Sequence, residues 1–151
     1  MNSRKMLLSV MFCLVAASVC FASDPNLGSW KLNEAKSKIA AGAPKNTSVV
    51  YTMAGEKYKC VVDGVDAKGN ALHNEWTGSF DGKDYPIVGD PSADTRAIKM
   101  TSPGHYELTN KKAGKTTVVG TIVTSADGKT RTLTTKNAGG KSSNTFVYDK
   151  Q

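Results

Sequence analysis

The sequence predicts an all-β protein whose antiparallel strands form an up-and-down meander that closes into a barrel of about 8–10 strands. The segments between its glycine turns are short and rich in Val, Thr, Tyr and Ile. Such segments, separated by turn signals every ~8–12 residues, are typical of an antiparallel sandwich or barrel. No connection after residue 54 is long enough for a Greek-key crossover, which favours the barrel over the sandwich. The eight turns contain Gly55, Gly69, Gly82, Gly89, Gly104, Gly114, Gly128 and Gly139.

The first elements follow from local sequence and from alternation. Residues 28–32 predict the first strand, and residues 33–42 are compatible with one or two helical turns before Pro44 ends them. In the strands that follow, apolar residues recur at every second or fourth position, so they share one face of each strand. These sets are Val49, Tyr51 and Met53; Tyr58, Cys60 and Val62; and Leu72, Trp76 and Phe80.

The second half of the chain continues the same pattern. Residues 85–88 predict a short strand, and residues 130–136 favour a strand through their threonines. Residues 118–123 are apolar on both faces, which predicts a strand covered on both sides. The remaining apolar pairs are Ile98 with Met100, Tyr106 with Leu108, and Phe146 with Tyr148.

The N-terminal residues 1–22 have the layout of a secretory signal peptide. Two basic residues precede a largely apolar run over 6–19, and Ala22 lies before a plausible cleavage site. We therefore expect residues 23–151 to be a single exported domain, periplasmic or secreted. No second apolar run follows, so no transmembrane segment is expected after cleavage.

Cleavage would leave Cys60 as the one cysteine of the mature chain. No intrachain disulfide can then form, which suits a bacterial exported protein better than a disulfide-stapled extracellular module. Because Cys60 alternates with Tyr58 and Val62, we expect a buried and unreactive thiol.

The formal net charge of +7 comes from lysines scattered over turns and strands. Lysine at such positions keeps edges and turns soluble. A basic surface also allows weak contact with anionic envelope polymers. No basic helix or aromatic-and-arginine motif predicts specific nucleic-acid binding.

Gly28-Ser29-Trp30, at the start of the first strand, resembles the lipocalin and calycin pattern. That resemblance implies a tryptophan that plugs one end of the barrel and an arginine from a late strand, here Arg131, that packs across it. A closer resemblance, over most of residues 26–150, is to small exported bacterial proteins described as lipocalin-like. It rests on Trp30-Lys31-Leu32-Asn33, Phe80-Asp81-Gly82-Lys83-Asp84-Tyr85-Pro86 and Ser125-Ala126-Asp127-Gly128-Lys129-Thr130. It implies a shared fold and no catalytic residues.

The barrel interior is the first candidate site. A barrel of this size can enclose one small ligand, with tyrosine hydroxyls to orient it. The same side chains could instead fill a core and leave no cavity, and the two interpretations stay open. The predicted ligand-binding residues are Trp30, Tyr51, Tyr58, Trp76, Phe80, Tyr106, Arg131 and Tyr148, with Phe146 beside them.

Two further groups of polar residues are weaker candidates. His73 with Glu75, and His105 with Glu107, place a histidine and a carboxylate on one strand face, but the alternation points all four outward. Asp81, Asp84, Asp90 and Asp94 lie in one loop-rich stretch, where aspartate usually bonds its own backbone. We therefore expect no metal and no cofactor.

No nucleophile elbow, phosphate loop or Cys/His cluster is present in the sequence. We therefore expect a non-catalytic protein that binds a small, partly apolar ligand in the barrel. The alternative is a structural or interaction module of the cell envelope with a packed core and no ligand.

Overall fold

The computed structural model describes residues 24–140 and 143–151, so the predicted signal peptide lies outside the described residues. Ten antiparallel strands form one closed barrel in which each strand pairs with its neighbours in sequence. The barrel closes where β1 pairs with β10, with Trp30 opposite Lys150 and Leu32 opposite Tyr148. The predicted all-β, up-and-down barrel is confirmed.

The strands occupy nearly all of the described chain. A single 3-10 turn, Glu34–Lys36, lies between β1 and β2, where one or two helical turns were expected. No helix in the described ranges has the length and apolar character needed to cross a membrane. The strands are β1 Gly28–Leu32, β2 Lys45–Ala54, β3 Lys57–Val65, β4 Ala71–Gly78, β5 Tyr85–Val88, β6 Thr95–Ser102, β7 His105–Lys112, β8 Lys115–Thr124, β9 Thr130–Asn137 and β10 Ser143–Lys150.

All eight predicted turns contain a glycine with positive φ, as a tight connection between adjacent strands requires. Most of the alternating apolar side chains lie on the inward faces of the strands and form one core. Met53 and Met100 do not belong to it, since they are 51% and 39% exposed near the ends of β2 and β6. The expectation that β8 is covered on both sides is wrong. Val119 and Val123 are 42% and 39% exposed, while Ile122 on the inward face is wholly buried.

The connection from β4 to β6 is the irregular part of the barrel wall. β4 ends at Gly78, so Phe80 lies beyond the strand that was predicted to carry it. The four-residue β5 makes two residue pairs with β4 and two with β6. The chain leaves β5 at Gly89, where φ is +85° and the backbone passes directly beside the carbonyl oxygen of His73.

Gly89→Ala tests how closely this connection is packed against β4. A methyl group there would meet the His73 carbonyl, whereas in Gly128→Ala, at a similar φ of +67°, it would have open space. We expect Gly128→Ala to lower the free energy of unfolding by about 1–2 kcal/mol through backbone conformation alone. Gly89→Ala should cost about 1–3 kcal/mol more because of overpacking. Urea unfolding of both variants measures the difference, and equal losses would contradict this packing.

Candidate ligand-binding cavity

The barrel interior is divided into a packed aromatic cluster and a cavity. The cluster consists of the seven aromatic residues that were predicted to bind ligand. Five of them are 0–2% exposed, and Tyr58 and Phe80 are partly buried. The members of the aromatic cluster are Trp30, Tyr51, Tyr58, Trp76, Phe80, Tyr106 and Tyr148.

Phe80 contacts four other members of the aromatic cluster. Its ring stacks on Tyr58 with 4.0 Å between centroids and lies edge-on to Tyr106 at 4.9 Å. Tyr51 and Trp76 lie at 6.1 Å and 6.2 Å. The three longer separations lie within the range of about 4.5–7 Å that favours aromatic pairs, and the stacked contact with Tyr58 is closer. The loop after β4 therefore inserts a ring between strands that are distant in sequence.

The segment before β1 is bonded to the aromatic cluster. The Asp24 carboxylate accepts hydrogen bonds from the hydroxyls of Tyr106 and of Tyr58, the latter at 3.3 Å. The carbonyl oxygen of Asn26 accepts a 2.9 Å bond from Trp30 Nε1, and its side-chain Oδ1 accepts one of 2.9 Å from Arg131 Nε. The buried Trp30 indole therefore has the polar partner it needs.

Arg131 does not provide the cation recorded over the Trp30 ring. That cation is Lys150, whose Nζ lies 5.0 Å from the ring centroid. The Arg131 guanidinium lies 5.5 Å from the ring centroids of Tyr51 and Tyr148. Asn26, which bonds both Trp30 and Arg131, joins the two residues that the lipocalin pattern places together.

The cavity has a volume of about 610 Å³ and lies beyond the aromatic cluster. Its apolar surface includes Leu108, Leu133 and Phe146, which belong to the buried core. Leu108 and Phe146 each lie two residues along a strand from a member of the aromatic cluster, and Leu133 lies two residues from Arg131. None of the eight predicted ligand-binding residues lines the cavity. Their role in ligand binding stays a prediction.

The polar wall of the cavity is made mainly of asparagines, which the sequence analysis missed. Their positions continue the inward alternation, since Asn74 lies two residues from Trp76, Asn110 from Leu108, and Asn144 from Phe146. The alternation along each strand could have predicted that these asparagines point inward. Asparagine is, however, uncommon in strands and in protein interiors, which suggested an outward or turn position. The asparagines that line the cavity are Asn46, Asn74, Asn110, Asn137 and Asn144.

Arg96 is the charged group of this wall. Its Nε donates a 2.9 Å hydrogen bond to Asn110 Oδ1, and its Nη2 lies 3.7 Å from the carboxylate of Asp90. Trp76 Nε1 donates to the Arg96 carbonyl oxygen at 3.0 Å and so links the aromatic cluster to the wall. Asn74 Oδ1 is buried and has no hydrogen-bond partner among the described residues. The wall therefore contains an ion-paired arginine and an amide oxygen that is free to accept a hydrogen bond.

Three loops form the rim of the cavity, over residues 40–44, 66–67 and 89–92. Asn144 Oδ1 accepts a 2.8 Å bond from the Ala40 backbone and holds the first loop to β10. Asp66 and Asp90 each cap their own turn by accepting backbone N–H bonds two residues ahead, at 2.8 Å. The rim is thus built from locally closed turns around the mouth of the barrel.

The two His-x-Glu pairs lie on different strands, β4 and β7. His73 and His105 are exposed, as their outward phase predicted. His73 Nδ1 is 2.7 Å from Asp63 Oδ1, and this hydrogen bond raises the pKa of the imidazole. Within residues 24–140 and 143–151, no group of three or more metal-binding side chains converges.

The four loop aspartates have separate partners. Asp81 and Asp90 follow the expected turn pattern and accept bonds from the backbone two residues ahead. The other two connect this stretch to β7 and to the turn that follows it, with Asp84 paired to Lys111 at 2.7 Å and Asp94 accepting a 2.8 Å bond from the Ala113 backbone.

Cys60 is buried in the core and unpaired, as predicted. Burial raises the pKa of its thiol. A protonated and inaccessible thiol is a poor nucleophile.

No protein-family model and no curated protein matches this chain. By its fold, the described chain is a ten-stranded antiparallel β-barrel, compatible with a lipocalin-like fold.

The buried tyrosines predict a sharp loss of stability in alkali. Desolvation raises the pKa of Tyr51 and Tyr106, and it raises the pKa of Tyr148 to about 12. Each of these tyrosines contributes to the free energy of unfolding, and the contribution is complete below the ordinary tyrosine pKa of 10.0. It is lost as the pH rises through the pKa of the folded state, because the tyrosines of the unfolded chain release their protons first. At pH 11 the free energy of unfolding should have fallen by about 1 kcal/mol less in Tyr148→Phe than in the wild-type protein. Urea unfolding from pH 9 to 12 tests this, and parallel curves for the two proteins would contradict it.

Proposed function

We propose that this protein binds a small, partly apolar ligand in the barrel cavity, as an exported lipocalin-like protein without catalytic activity. The observation that carries the proposal is the cavity of about 610 Å³. Leu108, Leu133 and Phe146 form its apolar floor, and asparagines form much of its wall. Ligand pockets are typically about 300–1,000 Å³, mostly apolar, with a few placed polar groups. The cavity lies within that range of size, and its lining combines apolar side chains with more polar groups than is typical.

The chemistry of the lining suggests the chemistry of the ligand. Leu108, Leu133 and Phe146 offer surface to an apolar body. The asparagine amides can both donate to and accept from an uncharged polar group. Arg96 is already engaged by Asn110 and Asp90, so its charge is partly neutralised. A neutral amphiphile therefore suits the cavity better than a fatty-acid anion.

The amino-acid composition of the cavity end of the barrel explains why a cavity remains there. Beyond the floor, the inward positions of β7, β9 and β10 carry Asn110, Asn137 and Asn144 where a packed core would carry large apolar side chains. A filled interior needs well-packed side chains in low-energy rotamers, and buried amides need hydrogen-bond partners. The asparagines do not fill this part of the interior, and a space that water or a ligand can enter gives their amides hydrogen-bond partners.

The second candidate function is an envelope interaction module without a ligand. The packing of the aromatic cluster favours it, because five of its seven members are 0–2% exposed and this part of the interior is already a closed core. In this case the lysines on the outer surface would provide weak contacts with anionic polymers.

Val118→Phe and Val119→Phe form a matched pair that tests ligand binding. Val118 lines the cavity, whereas the neighbouring Val119 points outward and is 42% exposed. With N-phenyl-1-naphthylamine as an uncharged fluorescent probe, we expect saturable binding to the purified protein. Val118→Phe should weaken it by about tenfold, equivalent to 1.4 kcal/mol, and Val119→Phe should not change it.

Urea unfolding of both variants separates lost binding from lost folding. Absence of saturable binding to the wild-type protein would favour the interaction module. Equal binding by the two variants would place the probe outside the cavity and contradict the proposal.

A chain-matched series tests the polar group. We expect decanamide and decanol to displace the probe more strongly than decanoate. The carboxylates of Asp66 and Asp90, which line the cavity, repel the carboxylate of decanoate. Displacement titrations at pH 8 measure the order, with decanoate below its critical micelle concentration and decanamide and decanol below their solubility limits. Preference for decanoate would mean that Arg96 is free to bind an anionic head group.

A further inference from the structure

Arg131 is a buried cation with no counter-ion among the described residues. It is 2% exposed, and none of the ion pairs among the described residues includes it. The other buried arginine, Arg96, lies beside the Asp90 carboxylate. A buried charge with neither a partner nor water is strongly unfavourable.

The groups nearest to Arg131 do not supply the missing charge. Tyr51 and Tyr148 lie under its guanidinium, and burial raises the pKa of both hydroxyls, so they stay neutral at pH 7. The Asp24 carboxylate is engaged by Tyr58, Tyr106 and the Asn26 backbone.

Four unpartnered polar atoms lie on Arg131 and its direct neighbours. Thr124 and Tyr148 are its cross-strand partners on β8 and β10, and Asn26 accepts a hydrogen bond from its Nε. Each of these side chains is buried. The atoms without a hydrogen-bond partner among the described residues are Arg131 Nη1, Asn26 Nδ2, Tyr148 Oη and Thr124 Oγ1.

All four atoms can donate a hydrogen bond, and two of them, Arg131 Nη1 and Asn26 Nδ2, can only donate. An acceptor would complete each of them, and the uncompensated guanidinium favours an acceptor that carries negative charge. The burial of all four side chains restricts the occupant to a very small species. We propose that a buried monoatomic anion of the size of chloride binds Arg131 between β8, β10 and the segment before β1.

This anion site is separate from the ligand cavity. None of Asn26, Thr124, Arg131 and Tyr148 lines the cavity, and Leu133 and Phe146 lie between the two along β9 and β10. The anion would stabilise the aromatic end of the barrel by accepting hydrogen bonds from β8, β9, β10 and the segment before β1. It does not depend on whether the cavity binds a ligand.

Thermal unfolding of the purified protein at constant ionic strength tests the proposal. Chloride is replaced stepwise by gluconate, which is too large for a buried site. We expect the Tm to rise with chloride by about 4 °C as the site fills, since an anion bound only to the folded state stabilises it. Arg131→Gln should abolish the rise, and Lys136→Gln, which removes an exposed charge from the same strand, should keep it.

Two conservative variants keep the test decisive if Arg131→Gln does not fold. Thr124→Val and Tyr148→Phe remove one donor each and leave the guanidinium, so each should raise the chloride concentration at half-effect by at least about threefold. Crystals grown in bromide should give an anomalous peak at hydrogen-bond distance from Arg131 Nη1. A Tm that is the same in chloride and gluconate, a rise that persists in Arg131→Gln, or a water molecule at that position would overturn the proposal.

Discussion

Closure of the sheet between β1 and β10 is the constraint on which the rest of the structure depends. It removes both free edges and turns one face of a ten-stranded meander into an enclosed interior. It also brings Tyr148 opposite Leu32, and Trp30 opposite Lys150, so that both ends of the described chain contribute to the aromatic cluster. The segment before β1 then bonds Trp30, Arg131 and two tyrosines, which fixes one end of the enclosed space.

Within this enclosure, the interior changes character along the barrel. On β7 and β10 an inward aromatic residue is followed by an apolar residue and then by an asparagine: Tyr106, Leu108 and Asn110, and Tyr148, Phe146 and Asn144. Dispersion and desolvation stabilise the aromatic end, where large rings fill the space. Asparagines at the other end cannot fill it in the same way, and there the cavity opens.

The two buried arginines illustrate how differently one barrel can treat a charge. Arg96 has a carboxylate and an amide oxygen as neighbours and forms part of the cavity wall. Arg131 has tyrosine rings and one amide oxygen, and its surroundings are left with donors that need an acceptor. The first arrangement is complete within the chain, whereas the second calls for a bound anion.

The sequence by itself determined the strand order, the turns and the inward face of nearly every strand, because these depend on glycine at positive φ and on period-two alternation, both of which are local. It predicted Trp30, Trp76 and Tyr148 as interior residues correctly. It did not separate the residues that pack from those that line the cavity, and it left Asn74 and Asn110 out. Only the tertiary structure decided this, because alternation gives the side of the sheet, whereas position along the barrel depends on cross-strand register and strand tilt. The placement of Phe80 was likewise decided by the tertiary structure, because the loop after β4, and not β4 itself, brings its ring against Tyr58.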